Sequence, residues 1–291
     1  MPPTRRERGR ARGHATAPYS RDRHRRVAAF YDRCPQQARR RPGTNVRRLN
    51  NFIKTCLIKE ATDGSGGDKL DVACWACGVG GDSGKYAFVP AIRHVSFVDI
   101  SAASVEAAEM RVVPDRRVNY THDFAVHDLS TPYDAGRQYD VIFCQFAVHY
   151  MFGSDADLAT FCANVARHLK PGGRFVCTTT DERRVDAMRP AFANALMKLE
   201  FDEENRERYH FTLHGAVERV PEYVVRAERF EAAMRAAGPT LDGGRRNFEQ
   251  LRDDYRRRYP DVAGRMLRGT RLSHSEEPVF ELYAAYTFVS K

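Results

Sequence analysis

Leu70-Asp71-Val72-Ala73-Cys74-Trp75-Ala76-Cys77-Gly78-Val79-Gly80-Gly81-Asp82 is the stretch whose reading decides the fold. The run from Lys69 to Cys74 is short and mostly apolar, reads as a buried strand, and ends in a glycine cluster. Gly78, Gly80 and Gly81 let the backbone turn sharply and approach a ligand where a Cβ would collide. A second strand, His94 to Val98, leads into Asp99, about 20 residues past the first glycine. In doubly wound α/β sheets an acid at that distance holds the ribose hydroxyls of a nucleoside-bearing cofactor. The pattern marks a cofactor crevice at the carboxyl ends of the first two strands.

The same turn narrows the cofactor. A nicotinamide fingerprint is G-x-G-x-x-G, because a pyrophosphate must lie on the following helix N-terminus. Here the third glycine position is Ser83, and Asp82 sets a carboxylate where that pyrophosphate would sit. A G-x-G-G turn followed by an acid suits a cofactor without phosphate, such as S-adenosylmethionine. A glycine turn alone also fits a purely structural role, so the rest of the chain must decide.

Upstream, Val46 to Glu60 reads as a helix, with Val46, Leu49, Ile53, Cys56 and Leu57 on one face and Asn50 and Lys54 sharing another. Val27 to Tyr31 reads as a short helix before a basic loop at Arg39–Gly43. Downstream, Ser101 caps a helix over Ala102–Arg111, and Asn119–Val126 is a third strand followed by His127-Asp128. Tyr139–Phe146 is a fourth strand; a helix from Asp155 to Leu169 stops at Lys170-Pro171-Gly172-Gly173, and Arg174–Thr179 is a fifth strand. The alternation predicts an α/β fold with a mostly parallel sheet and helices on both faces. Beyond Asp181 the expectation is a helix over Val185–Phe201, strands at Tyr209–Leu213 and Glu222–Arg226, a helix near Arg229–Ala236 and a last strand, Val279–Val289. Residues 200–226 read as a small insertion over the crevice, a lid.

With 291 residues and 42% hydrophobic content the chain can bury one large core or two small ones. No apolar run approaches a membrane span, and the N-terminus lacks the apolar segment of a secretory signal, so neither membrane nor export is expected. Cys34, Cys56, Cys74, Cys77, Cys144, Cys162 and Cys177 fall mostly in apolar patterns, which suits reduced thiols inside a cell. Cys74 and Cys77 form a lone C-x-x-C; zinc would need a second pair, so no metal is expected. The net charge of +9 is uneven, since residues 1–26 hold nine arginines against Glu7 and Asp22. With its prolines and glycines that segment reads as a disordered basic tail: a solvated arm, a nucleic-acid clamp or a nuclear-import signal. Residues 27–291 then form the folded domain.

Several stretches together resemble the messenger-RNA cap guanine-N7 methyltransferases of eukaryotes and large DNA viruses. They are Leu49-Asn50-Asn51-Phe52-Ile53-Lys54, Cys77-Gly78-Val79-Gly80-Gly81-Asp82, Val98-Asp99-Ile100 and Gln145-Phe146-Ala147-Val148-His149-Tyr150. They continue with Leu169-Lys170-Pro171-Gly172-Gly173, Pro221-Glu222-Tyr223 and a final strand bearing Tyr283. The glycine turn and the Lys-Pro-Gly-Gly are common to many methyltransferases; the Asn-Asn-Phe-Ile-Lys helix and the Gln-Phe-x-x-His-Tyr strand end are far more specific.

The resemblance implies a Rossmann-like class I methyltransferase fold that transfers a methyl from S-adenosylmethionine to N7 of the terminal guanine of capped RNA. It implies that Lys54 meets the methionine carboxylate, Gln145 helps hold the amino-acid end, Asp99 binds the ribose and Asp128 accepts from the adenine amino group. Ala76, Cys77, Gly78, Asp82 and Tyr150 complete the cofactor set. For the cap it implies stacking on Phe146 and Tyr150, Glu222 accepting from N1–H and the exocyclic amine, His149 donating to O6, Tyr283 closing the pocket, and Asn50 and Asn51 meeting ribose or phosphates. Guanine N7 carries a lone pair and no proton, so no catalytic base is expected. Partners would be 5′-capped RNA and RNA polymerase or other capping enzymes, and the chain would be a monomer in the nucleus, or at a viral replication site if it is viral. The chain also departs from the family: Val79 stands where lysine is usual, Thr180 where proline is usual, and the turn is longer. Either Cys74 replaces the usual acid before the turn, or a three-residue insertion separates that acid from the glycines. A non-catalytic RNA-binding subunit with a decayed cofactor site, or a methyltransferase of the same fold with another substrate, are the alternatives.

Overall fold

The computed structural model describes residues 26–32, 45–63 and 68–291. The expectations for residues 1–25, Cys34 and the basic loop at 39–43 lie outside these.

A first helix, α1, covers residues 26–32. The long helix α2 (Asn45–Thr62) buries Leu49, Phe52, Ile53, Cys56 and Leu57, the stripe its spacing predicts. From there the chain alternates: β1 (Leu70–Trp75), α3 (Ser83–Tyr86), β2 (Ile92–Asp99), α4 (Ala102–Val112), β3 (Thr121–Val126), β4 (Tyr139–Gln145), a 3-10 turn at Val148–Gly153, α5 (Asp155–His168) and β5 (Leu169–Thr180). The Ser101 side chain accepts from the Ser104 N–H and caps α4, as expected. Strands β3-β2-β1-β4-β5 lie side by side and pair in parallel. Both faces are covered, so alternate strand residues feed two cores. Val72 and Cys74 pack with α2, while Ala73 and Trp75 pack with the α5 side through Phe161 and Val165.

Beyond β5 the structure departs from the sequence reading. The helix expected over Val185–Phe201 is instead α6 (Glu182–Ala187), followed by β6 (Ala191–Ala193) and β7 (Met197–Phe201). Pro190 cannot donate to a helical ladder and restricts the residue before it, so the helix stops early. These strands join β8 (Arg208–Leu213) and β9 (Val217–Tyr223) in a four-stranded antiparallel sheet, and β9 ends before the expected Arg226. After α7 (Ala227–Ala237) come β10 (Thr240–Leu241), β11 (Arg246–Asn247), α8 (Phe248–Arg258), α9 (Pro260–Met266) and α10 (Glu277–Glu281). The last strand, β12 (Tyr283–Val289), starts later than Val279, because Pro278 opens α10, and it runs antiparallel to β5.

The strand order reverses between β1 and β4, where the connections from the two strands diverge to opposite sides. Ligands of open α/β sheets bind at such a point, outside the carboxyl ends of the strands. The glycine turn sits there. Gly80 has φ +67°, and a Cβ on it would lie 3.1 Å from the Ala108 Cβ on α4. Gly80→Ala is therefore expected to cost about 1–3 kcal/mol, while Gly81→Ala, with only the Arg111 guanidinium at 3.7 Å, should be near neutral. Urea denaturation of both variants checks this, and equal midpoints would show that close packing on α4 does not set the turn.

Candidate functional site

The crevice at this point is a cavity of about 330 Å³. Its walls contain Lys54, Ala76, Cys77, Gly78, Asp82, Asp99, Asp128, Gln145 and Tyr150, so the expected cofactor positions converge on one place. The convergence has a backbone cause: each residue follows a strand end or faces the turn from α2. Ala76 after β1 and Phe146 after β4 both adopt φ in the left-handed region, 51° and 59°. Such conformations persist only where surrounding bonds hold them. The Phe146 N–H donates to the Thr178 carbonyl at 2.9 Å and to its Oγ1 at 3.0 Å.

Charge is concentrated at one end. Asp82 Oδ1 lies 2.6 Å from Lys54 Nζ and 2.8 Å from Lys85 Nζ. Burial works against the Asp82 carboxylate, but the two ammonium groups outweigh it and hold its pKa well below the usual range. One carboxylate between two lysines leaves a net positive charge, which suits a ligand bearing both a carboxylate and an ammonium. Gln145 Oε1 accepts from Thr178 Oγ1 at 2.9 Å, while its buried Nε2 has no hydrogen-bond partner among the described residues. A buried donor without a partner is costly and fits a ligand acceptor.

Asp99, the expected ribose acid, is tied to the turn. Asp99 Oδ2 accepts the Gly78 N–H at 2.7 Å and Oδ1 the Ser101 N–H at 2.9 Å. Burial raises its pKa, and these backbone bonds oppose the shift. Asp128 closes the far end with its Oδ1 accepting from the Ser130 N–H and hydroxyl. Asp71 resolves the open point about the turn: at the start of β1 it pairs with Arg93 and Lys170, so it is not the crevice acid. Cys74 lines the crevice instead, and burial pushes its thiol up to about 12, which suits an inert packing residue.

A second cavity, about 450 Å³, adjoins the first and shares Lys54 and Phe146 with it; Asn50 and Asn51 line it. His149, Glu222 and Tyr283 line neither cavity. All three are buried; the Tyr283 ring centroid is 4.7 Å from that of Phe146, and the His149 ring centroid is 4.3 Å from that of Tyr150. Glu222 Oε2 accepts from the Tyr209 hydroxyl at 3.0 Å, and His149 Nε2 stands 3.5 Å from Oε1, too long for a hydrogen bond. Both ring nitrogens of His149 are buried without hydrogen-bond partners among the described residues. Burial pushes the Glu222 carboxyl up to about 8 and the His149 imidazole down to about 3. Near neutral pH the pair is therefore mostly uncharged, two polar side chains aimed at one another without satisfying each other.

The raised Glu222 pKa has a signature in stability. The folded state holds a proton that the unfolded state releases above its ordinary pKa of 4.5, so this contribution falls as pH rises from there through about 8. Glutamine does not titrate, so Glu222→Gln should gain stability relative to wild type between pH 6.5 and 9. Staying above pH 6.5 avoids the opposite effect of His149, whose contribution is lost as pH falls from 6.5 toward 3. Urea midpoints across that range test this, and a constant difference would mean that Glu222 ionises normally.

Three residues at or beside the site escaped the sequence reading. Tyr31 on α1 lines the crevice, and its hydroxyl lies 3.0 Å from that of Tyr150. Asp32 next to it accepts from Ser101 Oγ at 2.6 Å and so ties α1 to the start of α4. Tyr209 stands opposite Glu222 in the β8–β9 ladder, a register visible only once the hairpin is known.

Several known proteins are similar to this chain in sequence or structure. The cap guanine-N(7) methyltransferase of Drosophila melanogaster is 34% identical over 212 residues, covering 62% of this chain and 49% of that protein. That of Saccharomyces cerevisiae is 30% identical over 214 residues, with 63% and 48% covered. The chain thus spans about half the length of these curated relatives. Among solved structures, magnesium protoporphyrin IX methyltransferase from Synechocystis superposes with a TM-score of 0.56 at 13% identity, covering 93% of this chain and all of that one. The glycopeptide N-methyltransferase MtfA superposes with a TM-score of 0.53 at 12% identity, covering 83% and 94%; at these identities the likeness shows the fold, a Rossmann-like methyltransferase architecture. The profile of the mRNA (guanine-N(7))-methyltransferase domain matches residues 15–273, and the chain belongs to that family.

Proposed function

We propose that this chain transfers a methyl group from S-adenosylmethionine to N7 of the terminal guanine of capped RNA. The observation that carries the reading is buried Glu222. A carboxyl set among aromatic rings, beside a crevice fitted to a nucleoside with an amino-acid end, suits the N1–H and exocyclic amine of a guanine edge.

The residues present fit the cofactor: the Asp82–Lys54–Lys85 group and the unpartnered Gln145 Nε2 suit an amino-acid end, and Asp99 suits ribose hydroxyls. When bound, S-adenosylmethionine supplies an electrophilic methyl on a sulfonium. Lys54, Asp82 and Gln145 hold its amino-acid end, Asp99 its ribose and Asp128 its adenine, along the backbone of Ala76, Cys77 and Gly78. Phe146, Tyr150 and Tyr283 hold the guanine plane, Glu222 and His149 its polar edge, and Asn50 and Asn51 the ribose or phosphates beyond. Because N7 needs no deprotonation, these residues act by alignment and by electrostatics. The eukaryotic relatives and the arginines of residues 1–26 support action on nuclear transcripts, alongside RNA polymerase or other capping enzymes.

Radiolabelled methyl transfer to GpppA tests the reading, with ApppA as control. Label recovered in the guanosine of GpppA and absent from ApppA is the expected result. Binding of S-adenosylhomocysteine without transfer to GpppA would overturn it and favour the non-catalytic RNA-binding alternative, which Val79 and the lengthened turn motivate.

A further inference from the structure

A third cavity continues from the second along α2. It has a volume of about 920 Å³ and shares Asn51, Gly81 and Lys85 with its neighbour, so cofactor crevice, second cavity and third cavity are contiguous. Its floor is apolar, with Val89, Pro90, Val262 and Met266. At its mouth stands Phe88, 76% exposed and the most exposed of the large apolar side chains described. Lys59, paired with Asp63, Lys85, paired with Asp82, and the exposed Arg265 also line it. Arg47 and Arg111 line the second cavity upstream.

An exposed phenyl ring has no reason in folding to stand in water at a cavity that cationic side chains also line. The combination is what single-stranded nucleic acid binds: cations for the phosphates and an aromatic face for a base, indifferent to its identity. We infer that the groove along α2 is the track of the transcript leaving the cap, and that Phe88 stacks a base of one of the first transcribed nucleotides. The inference rests on the proposed function, because it needs the cap to enter at Phe146 and the chain to leave past Asn51. The volume of the third cavity suits one or two nucleotides rather than a folded partner. Continuity with the second cavity, together with the charge, makes RNA the occupant rather than an apolar peptide.

The test compares GpppA with a capped pentanucleotide in the full chain, as wild type, Phe88→Ala, Phe88→Trp and Arg265→Glu. In the wild type the pentanucleotide should have a KM about tenfold below that of GpppA, the scale of one stacked base. Phe88→Ala should remove most of that gain and leave kcat and KM for GpppA unchanged; Phe88→Trp should keep it. Arg265→Glu should reduce the gain and weaken its dependence on salt. Phe88 and Arg265 are both exposed, so these substitutions leave the packed core untouched. Equal KM values for both substrates in the wild type, or a gain that survives Phe88→Ala, would overturn the track; in the second case Phe88 serves a protein partner instead. A wild type that transfers methyl to neither substrate refutes the cap reading separately. Fluorescence anisotropy of the labelled pentanucleotide against wild type and Phe88→Ala then still decides whether RNA lies in this groove.

Discussion

Glu222→Ala is expected to lower kcat/KM for GpppA by roughly 30- to 1,000-fold, the scale of about 2–4 kcal/mol for enclosed donors left without partners. The loss has two parts. Two guanine donors would face a pocket with no acceptor, and the Tyr209 hydroxyl and the His149 ring would lose the group beside them. Glu222→Gln should be intermediate, since an amide accepts one bond but presents its own donors to the other. Inosine lacks the exocyclic amine, so IpppA should suffer less from either change than GpppA. A double-mutant cycle on kcat/KM, enzyme variant against GpppA or IpppA, measures the coupling directly. Coupling near zero would move Glu222 out of the guanine pocket. The raised pKa adds a second readout: guanine donors favour the ionised carboxylate, so the wild-type KM for the cap should fall as pH rises toward about 8, and the glutamine variant should lack that trend.

How legible this site was in the sequence depends on what fixes each part. The crevice was readable because strand ends and a glycine turn are local features. Gly78 and Gly80 carry positive φ, Asp99 ends β2, and the period of two in β1 sends Val72 and Ala73 to opposite cores. The cluster of Glu222, His149 and Tyr283 was readable only through the family resemblance. Glu222 comes from β9 and His149 from the 3-10 turn after β4, and nothing in their spacing brings them within 3.5 Å. Tyr209 was beyond reach because its role depends on β-hairpin register. Between Ala191 and Phe201 the composition misled: alanines, Leu196, Met197 and Leu199 are good helix formers. Pairing of β7 with β8 buries Met197 and Leu199 on one face and overrides that propensity. In α8 a signal was present and unread. Asn247 and Gln250 form a capping box ahead of Phe248, Leu251 and Tyr255, which repeat at helical spacing.

Asp99→Ala is expected to weaken binding of S-adenosylhomocysteine by roughly 100- to 10,000-fold, since hydrogen bonds to a charged group are worth about 1.5–3 kcal/mol each and a ribose offers two hydroxyls. The change also touches the fold. The Gly78 and Ser101 N–H groups donate to this carboxylate, so alanine leaves both without their acceptor, at about 1–3 kcal/mol for each that stays buried. The affinity loss in the alanine variant therefore mixes a missing ligand contact with a loosened turn. Asp99→Asn separates them. The amide keeps the size and one carbonyl acceptor for the turn, but it loses the charge and points a donor at one N–H. Its urea midpoint should lie between those of wild type and the alanine variant, while its affinity for S-adenosylhomocysteine should still fall by about tenfold or more. Calorimetry and denaturation on the same three proteins provide both quantities. Unchanged affinity in the asparagine variant would show that Asp99 serves the glycine turn alone. The ribose would then have to be held elsewhere in the crevice, which the carboxylate of Asp128 alone, already bonded to Ser130, is poorly arranged to do.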